Sequence, residues 1–330
     1  MKLKYLAALL TLALATPSFA AEPVTLRLGY GVASRADLHT KFLKPWADKV
    51  AADSQGTLKI DVFPDGTLTT DGQTFDRVIQ GVSDVGWDLP LIYGARFQSL
   101  GVLGLPFMYD DAETAGAAMW RMHNKALFPE LKDVKMIAFV VNPNVNMFLK
   151  EPLADNGDLA NRKVTVGSKL RADIVQKMGG VPISLKVPEF YQAISRGTAE
   201  GAMTNVQVLQ AVKIGELLNY YMEGPLGGAV SIVFMNRAKF DALPSEAKKA
   251  IEDNSGEATS RLAARTAIAS EAVVMEELLK DPKKKKVKLE GAAWEKWRKV
   301  LEPLSAEWAQ SVPNGTELID ALRAELAVKK

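Results

Sequence analysis

Residues 181–205, VPISLKVPEFYQAISRGTAEGAMTN, contain the strongest fold signal in the chain. Apolar and polar residues alternate over 181–185, which predicts a strand. Pro188 fits the first turn of a helix, where its missing N–H needs no partner, and Gly197 predicts the end of that helix. A second strand is predicted from about Ala199. The stretch is therefore predicted to fold as a strand, a short helix and a second strand.

The second strand of this unit ends in polar residues. Ligands of open α/β sheets bind at the carboxyl ends of the strands, so Thr204 and Asn205 are both candidates for ligand contact. Which of the two faces a ligand stays open. Tyr191, on the intervening helix, is a further candidate, although an aromatic residue at helical spacing more often packs in the core.

Strand and helix patterns alternate along the rest of the chain. Helical patterns separate the strands, which indicates parallel sheets covered by helices. The run 134–141 is apolar on both faces, which predicts a strand in the middle of a sheet. One long helix is predicted over 245–279, and one last helix carries Trp294, Trp297 and Trp308 on a packing face. The predicted strands are 24–30, 58–63, 84–87, 134–141, 163–166 and 230–235.

The amino terminus has the features of a secretory signal peptide. Lys2 and Lys4 precede a short apolar run, and Ser18 and Ala20 place small residues at the two specificity positions of a cleavage site. Cleavage is predicted after Ala20, so residues 1–20 are absent from the mature protein. No comparable apolar run follows, and we expect a periplasmic protein without a membrane anchor.

Charge and composition exclude several classes of function. The chain has 41 basic and 39 acidic residues, and removal of two lysines with the signal peptide leaves 39 of each. A balanced charge gives no general attraction to nucleic acid or to anionic membranes. Cysteine is absent, which excludes disulfides, thiolate nucleophiles and cysteine metal sites.

Signals for catalysis, metals and cofactors are missing. His39 and His123 have no ligand residues near them at zinc spacing. The chain contains no nucleophile elbow, phosphate loop or dinucleotide fingerprint. We therefore predict no catalytic residues, no metal and no cofactor, with an exported α/β hydrolase as the alternative from a different class.

Four blocks of sequence resemble one family of transport proteins. The chain resembles the solute-binding proteins of tripartite ATP-independent periplasmic (TRAP) transporters, of the DctP type. The last block is similar to the family pattern Glu-x-Tyr-x-Ala-Leu-x-x-Gly-x-x-Asp-Gly, with Ile194 for Leu and Glu200 for Asp. The blocks are VFPDGTLTTDGQTFDRVIQGVSDVGW from Val62, GLPFMYDDAETA from Gly104, DLANRKVTVGSKLRADIVQKMGGVPI from Asp158 and PEFYQAISRGTAEGAMTN from Pro188.

The resemblance implies a two-domain α/β periplasmic-binding-protein fold of the Venus flytrap type, with crossing hinge strands and a long domain-spanning helix. Domain I is predicted to comprise 21–143 and 230–270, and domain II 144–229 and 271–330. A small organic solute, expected to be an organic acid, would close the interdomain cleft and be delivered to the small and large permease subunits. We expect a monomer that performs no chemistry on its ligand. A receptor of another transporter class is a third possibility, which the long helix argues against.

One departure from the family pattern bears on the ligand. The family usually has an arginine where this chain has Thr165, and that arginine pairs with a carboxylate through two parallel hydrogen bonds. Arg171 could supply the guanidinium from the following helix, or Arg35 from the loop after the first strand. Otherwise the solute is neutral, either polar or aromatic. It would then contact Asn144, Asn146, Thr165 and Asn205 against Trp87, with Asp88 at the edge of the cleft.

Overall fold

The computed structural model describes residues 22–153, 157–159, 161–288 and 290–328. The predicted signal peptide and its cleavage site lie outside these residues. Within the described ranges, the strands are β1 (Val24–Gly29), β2 (Leu58–Phe63), β3 (Val85–Asp88), β4 (Val134–Val141), β5 (Asn146–Leu149), β6 (Lys163–Val166), β7 (Val181–Ser184), β8 (Gly201–Thr204), β9 (Tyr220–Glu223), β10 (Val230–Asn236) and β11 (Lys285–Lys288).

Helices cover both faces of the sheets. A π-helical turn, Leu38–Leu43, leads into the first α-helix, and 3-10 helices occupy Pro90–Phe97 and Ser99–Gly104. The α-helices in the described ranges are α1 (Lys44–Asp53), α2 (Thr74–Ile79), α3 (Ala112–Asn124), α4 (Lys169–Lys177), α5 (Phe190–Ser195), α6 (Val206–Ala211), α7 (Arg237–Asp241), α8 (Ser245–Asp253), α9 (Glu257–Leu278), α10 (Gly291–Leu301), α11 (Pro303–Ser311) and α12 (Gly315–Leu326).

The strands form two separate sheets. The first has the order β2-β1-β3-β10-β4 and the second β11-β9-β5-β8-β6-β7. β10 lies antiparallel between β3 and β4, so the chain returns to the first sheet after building most of the second. The two connections between the sheets run side by side, because the N–H of Asn142 donates to the carbonyl of Ala229 and that of Val145 to the carbonyl of Gly227. These two connections, 142–145 and 224–229, are called the crossing segments below.

The predicted central position of the strand 134–141 is wrong. β4 is an edge strand of the first sheet, yet almost all of its side chains are buried. The start of α9 covers the open edge, since the N–H of Gly256 donates to the carbonyl of Ile137 and the N–H of Phe139 donates to Ser260 Oγ. A covered edge needs the same apolar composition as a central strand.

Both long helices predicted in the last third of the chain are interrupted. The predicted helix 245–279 breaks between α8 and α9 at Gly256, whose φ of +104° cannot continue a helix. α9 then packs on α3 and β4 at its start and on α6 further along, so it crosses from the first sheet to the second. The predicted last helix, which carries Trp294 to Trp308, is two helices, because Pro303 begins α11. A further helix, α12, follows Asn314, which has a φ of +56°.

The carboxyl-terminal helices also cross between the sheets. Trp297 and Leu301 of α10 and Leu304 of α11 are buried in the core of the second sheet. α12 packs on α3 and places Leu318 and Leu322 in the core of the first sheet. The predicted domain limits, which group 271–330 with the second sheet, stay a prediction. In the described part of the chain, none of the helices has both the length and the apolar composition of a membrane span.

Candidate functional site

The crossing segments meet around the side chain of Tyr109. Its hydroxyl donates to the carbonyl of Asn142 at 2.7 Å, and its own carbonyl accepts from Asn144 Nδ2 at 2.8 Å. Tyr109 is buried, and a Cβ on Gly228 would lie 1.7 Å from its hydroxyl oxygen. Tyr109 therefore holds both crossing segments at the junction of the two sheets. The sequence patterns did not single it out, because it lies in an apolar connection without helical or strand periodicity.

Arg171 reaches the same junction from the second sheet. Ser168 caps α4 and accepts from the N–H of Arg171 at 3.4 Å, which places the first turn of α4 at the carboxyl end of β6. Arg171 Nη2 donates to Asn205 Oδ1 at 3.3 Å, and Asn205 Nδ2 donates to the carbonyl of Pro143 at 3.3 Å. The structure therefore brings Arg171 and Asn205 together beside a crossing segment.

The guanidinium of Arg171 has no carboxylate partner in the part of the chain that the structure describes. Burial lowers its pKa to about 10, and only the nearby hydroxyl of Tyr109 acts in the opposite direction. None of the ion pairs found among the described residues includes Arg171. At neutral pH the group stays protonated, so the protein keeps a desolvated cation at the junction. An anion that entered from solvent would relieve the cost of that burial.

A cavity of about 470 Å³ opens beside Arg171 between the two sheets. Its volume lies within the range of small-molecule sites, about 300–1,000 Å³. The wall on the first sheet comes mainly from the 3-10 helices, and the opposite wall from the start of α4 and from α11. We call it the main cavity. Its lining includes Pro90, Leu91, Phe97, Leu100, Ser168, Leu170, Arg171, Leu226, Leu304, Trp308 and Val312.

Three predicted site residues form hydrogen bonds to other groups of the protein and do not line the main cavity. Trp87 Nε1 donates to Ser231 Oγ at 2.9 Å. Asp88 accepts from the backbone N–H groups of residues 72, 75 and 89 and from the hydroxyl of Tyr93. Thr165 is fully buried and donates to the carbonyl of Gly201 at 3.1 Å. Each of these contacts holds neighbouring backbone or core side chains in place.

A second, smaller cavity of about 260 Å³ lies on the α9 side of the crossing segments. Asn144 and Asn146 line it, and Asn146 is paired in register with the buried Thr204. Asn146 Nδ2 donates to Glu271 Oε1 of α9 at 3.5 Å. Asn144 Oδ1 and Glu271 Oε2 are buried without a hydrogen-bond partner. Among the described residues, no three histidine or acidic side chains are grouped to hold a metal ion.

The remaining two predicted site residues lie at the surface. Arg35 is exposed in the loop after β1, where it and Ser34 lie near Asp65. Tyr191 is 38% exposed on α5, because Phe190 and Ile194 occupy the buried face of that short helix. The expectation that Tyr191 packs in the core is therefore wrong.

Glu271 makes the stability of the protein depend on pH. Burial, followed by repulsion from Glu223, raises the pKa of Glu271 from 4.5 to about 7, while Asn146 and Lys286 act against this shift. Because the folded state holds this proton more tightly than the unfolded state, stability falls as the pH rises from about 4.5 to 7. We expect Glu271→Gln to be about 1–3 kcal/mol more stable than the parent protein at pH 8 and equally stable at pH 4.

Urea unfolding at a series of pH values measures this difference. Glu276→Gln on the exposed side of the same helix is the matched control and should show no pH-dependent gain. A gain of Glu271→Gln that is the same at pH 4 and pH 8 would contradict the assignment of a raised pKa.

The fold and the cavity define a class of protein. Two α/β sheets, joined by crossing segments and by the long helix α9, enclose a small-molecule cavity at their junction, and this is the architecture of periplasmic solute-binding proteins of the Venus flytrap type. Residues 29–311 match the family model DctP, bacterial extracellular solute-binding protein family 7. The chain belongs to this family.

Relatives and solved structures agree with this assignment. The chain is 26% identical over 328 residues to the outer membrane transporter protein TsaT of Comamonas testosteroni, covering 94% of each. It is similar to a marine metagenome TRAP solute-binding protein in complex with 3-hydroxybenzoate (25% identity, TM-score 0.84, 93% of this chain and 99% of that one). It is also similar to a TRAP solute-binding protein of Rhodoferax ferrireducens with copurified benzoate (27% identity, TM-score 0.82, 92% and 98%).

These matches confirm the family and the fold class predicted from the four blocks. The protein is an extracellular solute-binding protein and not an enzyme, so the hydrolase alternative is set aside. TRAP solute-binding proteins bind small-molecule solutes and work with membrane permease subunits.

Proposed function

We propose that this protein captures a small aromatic carboxylic acid in the main cavity and delivers it to the permease subunits of a TRAP transporter. The observation that carries the proposal is the largely buried side chain of Arg171, which lines a ligand-sized cavity and has no carboxylate partner among the described residues. A carboxylate is the ligand group that matches a planar guanidinium through two parallel hydrogen bonds. Arg171 thereby takes the role that the family gives to an arginine at the position of Thr165.

The cavity walls favour an aromatic body on that acid. Leu91 and Trp308 contribute apolar side chains that are not fully buried, while Arg171 and Ser168 provide polar groups. Apolar walls with a few polar groups are typical of sites that orient a small organic ligand. The similar structures that contain benzoate and 3-hydroxybenzoate support the same class of ligand. The alternative of a neutral solute leaves the cation of Arg171 without a partner.

Delivery completes the proposed function. The mature protein is a periplasmic monomer after cleavage behind Ala20, and closure of the cavity around the acid favours the form that docks on the small and large permease subunits. Membership of an extracellular solute-binding family supports this location. Light scattering of the purified protein tests the monomer directly.

Comparison of benzoate with benzamide, its neutral analogue, tests the ligand class. We expect benzoate to raise the melting temperature by about 3–8 °C at a concentration of 100 times Kd, because a ligand that binds only the folded state stabilises it by mass action. Benzamide should give no shift, and NMR should find the benzoate unchanged. Equal shifts for both compounds would favour the neutral solute, and a product in the NMR spectrum would contradict the receptor function.

A further inference from the structure

The helix α11 provides one complete wall of the main cavity. Leu304 and Trp308 line the cavity and, four residues apart, share one face of α11, and the extended residue Val312 follows the end of the helix and also lines the cavity. Trp308 is partly buried, and a Cβ added at Gly101 would lie 3.4 Å from its Nε1. The indole therefore lies against the 3-10 helix Ser99–Gly104 of the first-sheet side and closes the cavity there.

This wall is held in a fixed relation to Arg171. Leu304 is buried in the core of the second sheet, and Glu307 Oε1 accepts from Lys177 Nζ of α4 at 2.7 Å. α4 is the helix that carries Arg171 in its first turn. The burial of Leu304 contributes most of the anchoring, since an exposed ion pair adds little. The cavity thus has Arg171 of α4 in its lining together with the apolar Leu304 and Trp308 and the carboxylate of Glu307 from α11.

The charged side chains that line the cavity can pair with only one carboxylate of a ligand. Four charged side chains take part in the lining, and three of them have opposite charges beside them. Lys169 pairs with Asp173 at 2.7 Å, and Glu307 pairs with Lys177 at 2.7 Å. Of these four, Arg171 has no ion-pair partner within the described ranges. A second carboxylate at the far end of a ligand would meet apolar side chains and the carboxylate of Glu307, without a free cation to receive it.

We infer that the ligand is an aromatic monocarboxylate and that Trp308 of α11 contacts the end of the ring opposite the carboxylate and limits its length. This inference rests on the proposed function, because it takes Arg171 as the group that binds the carboxylate. It assigns α11 a part in ligand specificity.

Two comparisons by isothermal titration calorimetry test this assignment. In the parent protein, terephthalate should bind at least about 100-fold more weakly than benzoate, because its second carboxylate would be buried unpaired. Trp308→Leu should raise the affinity for 4-propylbenzoate relative to benzoate by at least about 10-fold, because the smaller side chain lengthens the cavity. Trp308→Phe, a milder change that guards against misfolding, should shift the same ratio in the same direction by a smaller factor.

Trp294→Leu is the matched control. Trp294 is a partly buried tryptophan of α10 that packs on Phe107 and does not line the main cavity, so its replacement should leave the ratio unchanged. An unchanged ratio in both Trp308 variants, or an equal shift in Trp294→Leu, would overturn the role of α11. Terephthalate binding as tightly as benzoate would overturn the restriction to one carboxylate. A different result would contradict the proposed function itself: no binding of benzoate to the parent protein, or equal binding of benzoate to the parent protein and to a variant without Arg171.

Discussion

Arg171→Ala is expected to weaken the binding of the aromatic acid by at least about 100-fold. The carboxylate would be moved from water into the junction without a cation, and loss of one member of a buried charge pair costs about 2–5 kcal/mol. Arg171→Lys keeps the charge but loses the planar fork, so its affinity should be intermediate. Isothermal titration calorimetry of the three proteins with benzoate measures both effects.

Arg35→Ala is the matched control for this result. Arg35 is the other arginine considered for the missing family residue, and its side chain is exposed in the loop after β1. Its removal should change the affinity by less than about twofold. The free Arg171→Ala protein should be at least as stable as the parent, because the substitution removes a desolvated cation that has no ion-pair partner. Loss of binding in Arg35→Ala but not in Arg171→Ala would contradict the proposed site.

Gly227→Ala is expected to lower the stability of the protein strongly, because it adds a methyl group where the backbone is closely packed at the junction. Gly227 has a φ of +83°, and a Cβ there would lie 2.0 Å from the carbonyl oxygen of Gly104. The contact is with backbone, so no side chain can move aside, and the crossing segment 224–229 would have to move away from the end of the 3-10 helix Ser99–Gly104. We expect a loss of more than about 3 kcal/mol in the free energy of unfolding.

Gly56→Ala separates the two causes of this loss. Gly56 has nearly the same φ, +84°, but nothing lies within 4 Å of an added Cβ. It should cost only about 1 kcal/mol, which is the penalty for a left-handed conformation in a residue with a side chain. Urea unfolding of both variants gives the comparison. Equal losses would mean that the backbone conformation, and not the close approach of Gly227 to Gly104, determines the requirement for glycine.

Local sequence patterns predicted most of the strands, because alternating or continuous apolar residues show which side chains of a strand are buried. β2, β4 and β6 have the predicted limits, β1 and β10 differ from theirs by one residue at one end, and β3 is shifted by one residue. The same patterns could not distinguish a central strand from the covered edge strand β4, since both require apolar side chains. They also missed the break at Gly256, because a single glycine interrupts a helix only where the surrounding packing requires a positive φ.

The candidate site was predictable in part. Arg171 and Asn205 follow strands of one sheet, and the geometry of α/β sheets places such residues at a common edge. Tyr109, Glu271 and Trp308 were not predicted as site residues. Tyr109 lies in a connection, and the other two lie on helices whose patterns indicate packing. Their positions depend on how the two sheets meet, which no local pattern reports.

A crystal structure of the mature protein with bound benzoate is the most direct measurement of the central claim. We expect both carboxylate oxygens to lie within hydrogen-bonding distance of the Arg171 guanidinium and the ring to point toward Trp308 of α11. A benzoate whose carboxylate contacts Arg35, or contacts no arginine at the junction, would contradict this claim.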